Sequence, residues 1–170
     1  MSKRMNTNNE LTNPKDYWVT PLTALTSLLP HLTPATRFVE PCAGNGAISS
    51  GLALYGHVCT MAYDIEPRAP GMIALEATCV SVDGQLLITN PPFRWSLLEP
   101  LLDHWVGACE VWLLLPWDMT CNARFSPYAA YIDQMVPIGR VSWMQNGQGG
   151  FENYGWFHFN TDPMGLISSR

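Results

Sequence analysis

The sequence predicts an α/β fold built on a seven-stranded, mostly parallel sheet that ends in an antiparallel hairpin. Three observations carry that prediction. Short apolar runs that read as buried strands alternate with helical stretches along most of the chain. A glycine turn, Gly44-Asn45-Gly46, joins the first such run to a helix. The last two runs, Ile138 to Met144 and Tyr154 to Asn160, have only a loop between them, so they must pair antiparallel.

Taken in order, residues 1–15 form a polar N-terminal tail and residues 16–170 a single domain. Pro21 to Leu29 reads as a helix ending near Pro30, and Thr33-Pro34 as a turn. Strand 37–42 feeds the glycine turn and a helix over 46–55, whose small apolar residues suit packing on a sheet. Strand 57–64 follows, then a Pro- and Gly-rich connection at 67–71, strand 78–82 and strand 85–89. The connection after Asp64 is too short for a full helix. Helix 96–105, strand 110–115, helix 126–134 and strands 137–144 and 154–160 complete the order, with irregular loops at 117–126 and 145–153. There is no internal repeat and no interdomain linker.

Composition narrows the class. The chain is 47% apolar and 14% charged, so it is globular, and its 170 residues suffice for one core. No apolar run approaches the roughly twenty residues of a membrane span, and the opening residues lack a signal-peptide core. Five cysteines without Cys-x-x-Cys spacing read as reduced thiols in a cytoplasmic protein, and the four scattered histidines suggest no metal site. A net charge of −5 argues against a broad basic surface of the kind that grips duplex nucleic acid. Arg94, Arg124 and Arg140 could still supply a local rim, and a homo-oligomer or partner subunit could supply more.

Two motifs carry chemistry. In Asn90-Pro91-Pro92-Phe93, two prolines after an asparagine hold an extended turn directly after strand 85–89. Such a turn can present a side-chain amide oxygen, the Pro91 carbonyl and an aromatic face together, which suits a planar base with an exocyclic amino group. Asn-Pro pairs are also ordinary turn formers. Gly44 and Gly46 permit positive φ and close approach of a ligand, although the third glycine of a dinucleotide fingerprint is absent. Asp64, about twenty positions further on at a strand end, stands where doubly wound folds place a ribose-binding acid. A turn without ligand is the bland alternative; the acid at this spacing favours a ligand.

With these residues the chain resembles the S-adenosylmethionine-dependent amino-group methyltransferases, which modify adenine or cytosine amino nitrogens on a Rossmann-like class I methyltransferase fold. Glu40 to Gly46 resemble their cofactor loop, Asp64 their ribose-binding acid and Asn90 to Phe93 their catalytic motif. Asp16-Tyr17-Trp18-Val19-Thr20-Pro21 resembles the amino-terminal motif that closes over the methionine end of the cofactor. The likeness spans roughly residues 16 to 160 and resembles compact phage- and prophage-encoded members, without a carboxy-terminal target-recognition region.

The resemblance implies S-adenosylmethionine as cofactor, held by Tyr17, Thr20 and Pro21 from the first motif and Glu40, Cys42, Ala43, Gly44 and Gly46 from the loop. Asp64, Ile65 and Asn90 join them; Asp83 either reaches the cofactor's adenine or belongs to an ordinary turn. Glu40 faces the cofactor or caps the loop rather than acting as a base. Cys42, although it follows a proline, lies in the loop and reads as packing, not as a nucleophile. Catalysis falls to Asn90, Pro91, Pro92 and Phe93, with Phe93, Arg94, Trp117 and Arg124 facing the substrate and Trp143 a further candidate for base contact. The expected reaction is methylation of the 6-amino group of adenine, DNA being favoured over RNA. RNA adenine, a cytosine amino group or a protein glutamine is the alternative, and a non-catalytic subunit or phage counter-defence factor a second one.

Overall fold

The structure, a computed structural model, describes residues 16–143 and 152–164; the expected tail at 1–15 and most of the loop at 145–153 lie outside the described residues. The helices are α1 (Leu22–Thr26), α2 (Ala47–Ala53), α3 (Trp95–Trp105) and α4 (Ser126–Ala129). The strands are β1 (Arg37–Glu40), β2 (Val58–Asp64), β3 (Ile73–Ala74), β4 (Leu86–Thr89), β5 (Glu110–Pro116), β6 (Ile132–Arg140) and β7 (Asn153–Phe159). They form one seven-stranded sheet in the order β3-β2-β1-β4-β5-β7-β6. The first five in that order run parallel, and β7 is antiparallel to both its neighbours, β5 and β6.

The core explains the pattern. Val111 to Leu115 of β5 are all buried, as a central strand covered on both faces requires. In α3, Leu98, Leu101, Leu102 and Trp105 are buried at helical spacing, which lays one face of that helix on the sheet. Trp156 of β7 is fully buried and donates its indole N–H to the Ala24 carbonyl at 2.8 Å, tying the last strand to α1. Among the described residues no helix lies between β2 and β3, and Val58, Met61 and Ile73 are left exposed there. No helix of the described residues is long and apolar enough to cross a membrane.

Three elements differ from the sequence expectation. The strand expected at 78–82 is a 3-10 turn, Ala77–Cys79, followed by unpaired chain, and the third strand is β3, which pairs Ile73 with Tyr63 and Ala74 with Asp64. Ala77, Val80 and Val82 are buried, so their alternation reports packing rather than ladder formation. The helix expected at 126–134 stops at Ala129, and β6 begins at Ile132, five positions before the expected strand start, because Ile132 pairs with Phe159. The helix expected from Pro21 to Leu29 divides into α1 and a 3-10 turn at Leu29–His31.

Candidate active site

A cleft of about 200 Å³ opens at the carboxyl ends of the parallel strands, where open α/β sheets bind ligands. Its floor is the turn between β1 and α2. Gly44 (φ 55°) and Gly46 (φ 78°) are both left-handed, a conformation that glycine adopts without steric cost. A Cβ on Gly44 would stand 2.7 Å from Cε2 of Tyr17, and one on Gly46 2.7 Å from Cε of Met72. Torsion therefore favours glycine at both positions, and at Gly44 the Tyr17 ring adds a steric bar, whereas the flexible end of Met72 could give way at Gly46.

Two carboxyl groups brace this turn. Asp64, at the end of β2, accepts the Gly44 amide at 2.7 Å on one oxygen and the Glu66 amide at 2.8 Å on the other. Glu40, at the end of β1, is buried and accepts the Ser49 amide in the first turn of α2 at 3.0 Å. Burial pushes its carboxyl up to about 8, against the stabilising Ser49 N–H and helped by the nearby charge of Asp64. Burial likewise raises the Cys42 thiol, with Asp64 adding to the effect, which suits a packing residue and not a nucleophile.

The other wall is the segment before α1. Tyr17 lies over the glycine turn with the Arg68 guanidinium 3.8 Å from its ring centroid, and the Arg68 amide donates to the Gly44 carbonyl at 2.9 Å. Trp18, the next residue, lines the same cleft. Its carbonyl accepts the Asn90 side-chain amide at 3.1 Å, and its indole N–H donates to Asp16 at 2.9 Å. The Trp18 carbonyl fixes the orientation of the Asn90 amide: Nδ2 is used, so Oδ1 is left buried without a hydrogen-bond partner among the described residues.

Of the residues singled out from sequence, Tyr17, Thr20, Glu40, Cys42, Ala43, Gly44, Asp64, Ile65, Asn90 and Pro92 line the cleft. Gly46 shapes the turn without lining it. Pro21 borders a shallower depression beside Leu22, Ser50 and Leu54. Asp83 is exposed and not among the lining residues, so the ordinary-turn alternative fits its position. Phe93 is buried behind the cleft, its ring 5.8 Å from that of Trp143 and 5.6 Å from that of Tyr154. Trp117 also lies elsewhere: it packs on Phe157 of β7 at 5.3 Å, over Gly155, where a Cβ would come within 2.8 Å of the indole. Arg124 sits exposed on the 3-10 turn Ala123–Phe125, away from the lining residues.

Sequence reasoning missed Arg68, Glu76, Ala77, Leu97 and Leu101, all of which line the cleft. Leu97 and Leu101 are four apart on α3, a spacing that places both on one face and was available as a signal. Arg68, Glu76 and Ala77 come from the irregular chain around β3, where no periodicity marks them.

No protein-family model matches this sequence, and no curated protein matches it. Solved structures do. A candidate RNA methyltransferase from Pyrococcus horikoshii superposes with a TM-score of 0.61 at 12% identity, over 85% of this chain and 86% of that one. A candidate class I S-adenosylmethionine-dependent methyltransferase from Listeria monocytogenes gives 0.55 at 11% identity, over 86% and 62%. A dimethyladenosine transferase from Plasmodium falciparum gives 0.54 at 9% identity, over 85% and 62%. At these identities the likeness is one of fold: the chain has the class I methyltransferase fold, with its mostly parallel sheet and antiparallel carboxy-terminal strands.

Proposed function

We propose that the protein is an S-adenosylmethionine-dependent methyltransferase acting on the 6-amino group of adenine in nucleic acid, with DNA favoured over RNA. The observation that carries this reading is Asn90 Oδ1, a buried acceptor without a partner among the described residues, on the cleft wall of a class I methyltransferase fold. A buried polar atom left unmatched calls for an explanation, and an incoming amino group supplies one.

The cleft suits the cofactor chemically. Gly44 offers bare backbone on the cleft wall, which lets a ligand approach the main chain closely. Asp64 retains acceptor capacity for ribose hydroxyls beyond its two amide bonds, since an ionised carboxylate has about four acceptor sites. Tyr17 and Glu40 stand at the methionine end in this reading, and Ile65 beside the adenine. Bound there, S-adenosylmethionine supplies an electrophilic methyl group. The chain's own residues then have to raise the availability of an amino lone pair that is delocalised into the base. Asn90 Oδ1 and the Pro91 carbonyl would accept hydrogen bonds from the two amino hydrogens, which favours a pyramidal nitrogen. That nitrogen would gain the methyl as the methyl's bond to sulfur breaks and release one proton to solvent, while the rigid Pro91-Pro92 turn keeps both acceptors in position.

The test is direct. The full chain is incubated with radiolabelled cofactor and adenine-containing DNA or RNA, and the products are digested to nucleosides. Label in N6-methyldeoxyadenosine is expected. Label only in RNA, cytosine or protein would select one of the alternative acceptors, and cofactor binding without transfer to any acceptor would leave the non-catalytic reading.

A further inference from the structure

Phe93, the aromatic member of the Asn90 cassette, is 8% exposed, so no base can stack on it while its neighbours stay in place. Four rings meet there. Trp143 stands 5.8 Å from Phe93, 4.9 Å from Tyr154 and 6.0 Å from Trp18, and Phe93 stands 5.6 Å from Tyr154. We propose that the indole of Trp143 fills the slot that the target base occupies, and withdraws when substrate enters. The proposal rests on the reading of Asn90 and Phe93 given above.

Three of the four rings are pinned. Phe93 follows the Pro91-Pro92 turn directly after β4. Tyr154 lies within β7, paired with Pro116 on one side and Gly139 on the other, and its hydroxyl donates to Glu152 at 3.3 Å. Trp18 is held through its carbonyl and its indole N–H. Trp143 comes three residues after Arg140, the last residue of β6, so its movement breaks no strand pairing. Of the four, it is the one that lies outside the strands, the proline turn that carries Phe93 and the hydrogen-bonded segment of Asp16 and Trp18, held instead by its contacts with the other three rings.

Shape gives the proposal its selectivity. Indole and purine are both planar five-six bicycles, so a slot shaped around Trp143 matches adenine in outline and leaves a cytosine or a glutamine amide loosely held. Trp143 is thus a positioning residue for purine acceptors: it competes with the base for Phe93 and sets how often the slot is free.

The experiment uses the full chain with Trp143→Ala and Trp143→Phe. If the slot is open about a tenth of the time in the wild type, truncating the indole lowers KM for an adenine-containing single strand about tenfold. Added free indole should bind Trp143→Ala and compete with the acceptor there, while leaving the wild type unaffected. Calorimetry supplies an arm independent of turnover, in which adenosine displaces indole from Trp143→Ala. A raised KM would make Trp143 a base contact rather than a stand-in, and indole that adenosine fails to displace would overturn the proposal. Should Trp143→Ala not fold, Trp143→Phe, with a smaller ring against Tyr154, must still lower KM; an unchanged KM would equally sink it. Failure of the cassette reading shows differently, as cofactor binding without transfer by the wild type.

Discussion

Asp16 and Arg94 lie 78 positions apart in sequence and meet through a 2.6 Å hydrogen bond, the Arg94 amide donating to an Asp16 carboxylate oxygen. The second Asp16 oxygen accepts the Trp18 indole N–H, so one side chain joins the segment over the cofactor cleft to the end of the Asn90 turn. Asp16 itself sits at φ 52°, a left-handed torsion that aspartate tolerates better than most residues. Asp16→Ala should lower unfolding free energy by about 1.5 kcal/mol in a denaturant titration, the scale of a hydrogen bond to a charged group. It should also reduce methyl transfer. Asp16→Asn, which keeps an acceptor, should fall between.

Asp64 has two roles that a pair of variants can separate. Asp64→Ala removes the proposed ribose acceptor together with the brace on the Gly44 amide, and S-adenosylmethionine affinity should drop at least about tenfold by calorimetry. Asp64→Asn keeps one oxygen for the amide, so it should preserve more stability than affinity. Wild-type affinity in Asp64→Ala would take Asp64 out of the site.

Glu40 makes stability depend on pH. An unfolded glutamate loses its proton near 4.5, whereas Glu40 in the folded chain keeps it up to about 8. Folding therefore takes up a proton in that window, and the contribution of this group to stability falls as pH rises through it. The slope is about 1.4 kcal/mol per pH unit at most. Glu40→Gln, neutral at every pH, should lack this slope. Chemical denaturation of both proteins between about pH 5 and 8, without cofactor, should show the variant gaining on the wild type as pH increases. Parallel curves would mean that Glu40 ionises normally.

Asn90 is the residue on which activity turns. Asn90→Ala should leave cofactor affinity nearly intact while cutting methyl transfer by a factor on the order of a hundred, as loss of a well-placed polar group beside a reacting atom does. Asn90→Asp keeps an acceptor for the amino group but turns a second oxygen towards the Trp18 carbonyl, which the Asn90 amide meets at 3.1 Å. It should retain part of the activity and lose stability. Equal turnover in wild type and Asn90→Ala would remove the catalytic assignment.

What could be read in advance follows from where each signal resides. The glycine turn, the acid at Asp64 and the Asn-Pro-Pro cassette are local: each is set by a few consecutive residues, and all of their key residues but Gly46, Pro91 and Phe93 line the cleft. Strands β1, β4, β5 and β7 announced themselves through apolar runs that reach the core, and β2 through an apolar run that stays partly exposed. The misplaced elements, β3 and the start of β6, are fixed by partners distant in sequence, Tyr63–Asp64 and Phe159. The stacking of Arg68 on Tyr17 and the burial of Phe93 under Trp143 are likewise long-range contacts, which no window of sequence contains.

The position of β7 governs how the chain can be assembled. The last strand in sequence is an inner strand of the sheet, wedged between β5 and β6. A ribosome therefore releases β6 before the strand it pairs with exists, and β5 waits with one edge open until residues 153–159 emerge. Closing the sheet late, by insertion rather than by adding at the margin, raises the mean sequence separation of its contacts and slows folding. A nascent chain cut short between Arg140 and Asn153 leaves the sheet two strands short, not one.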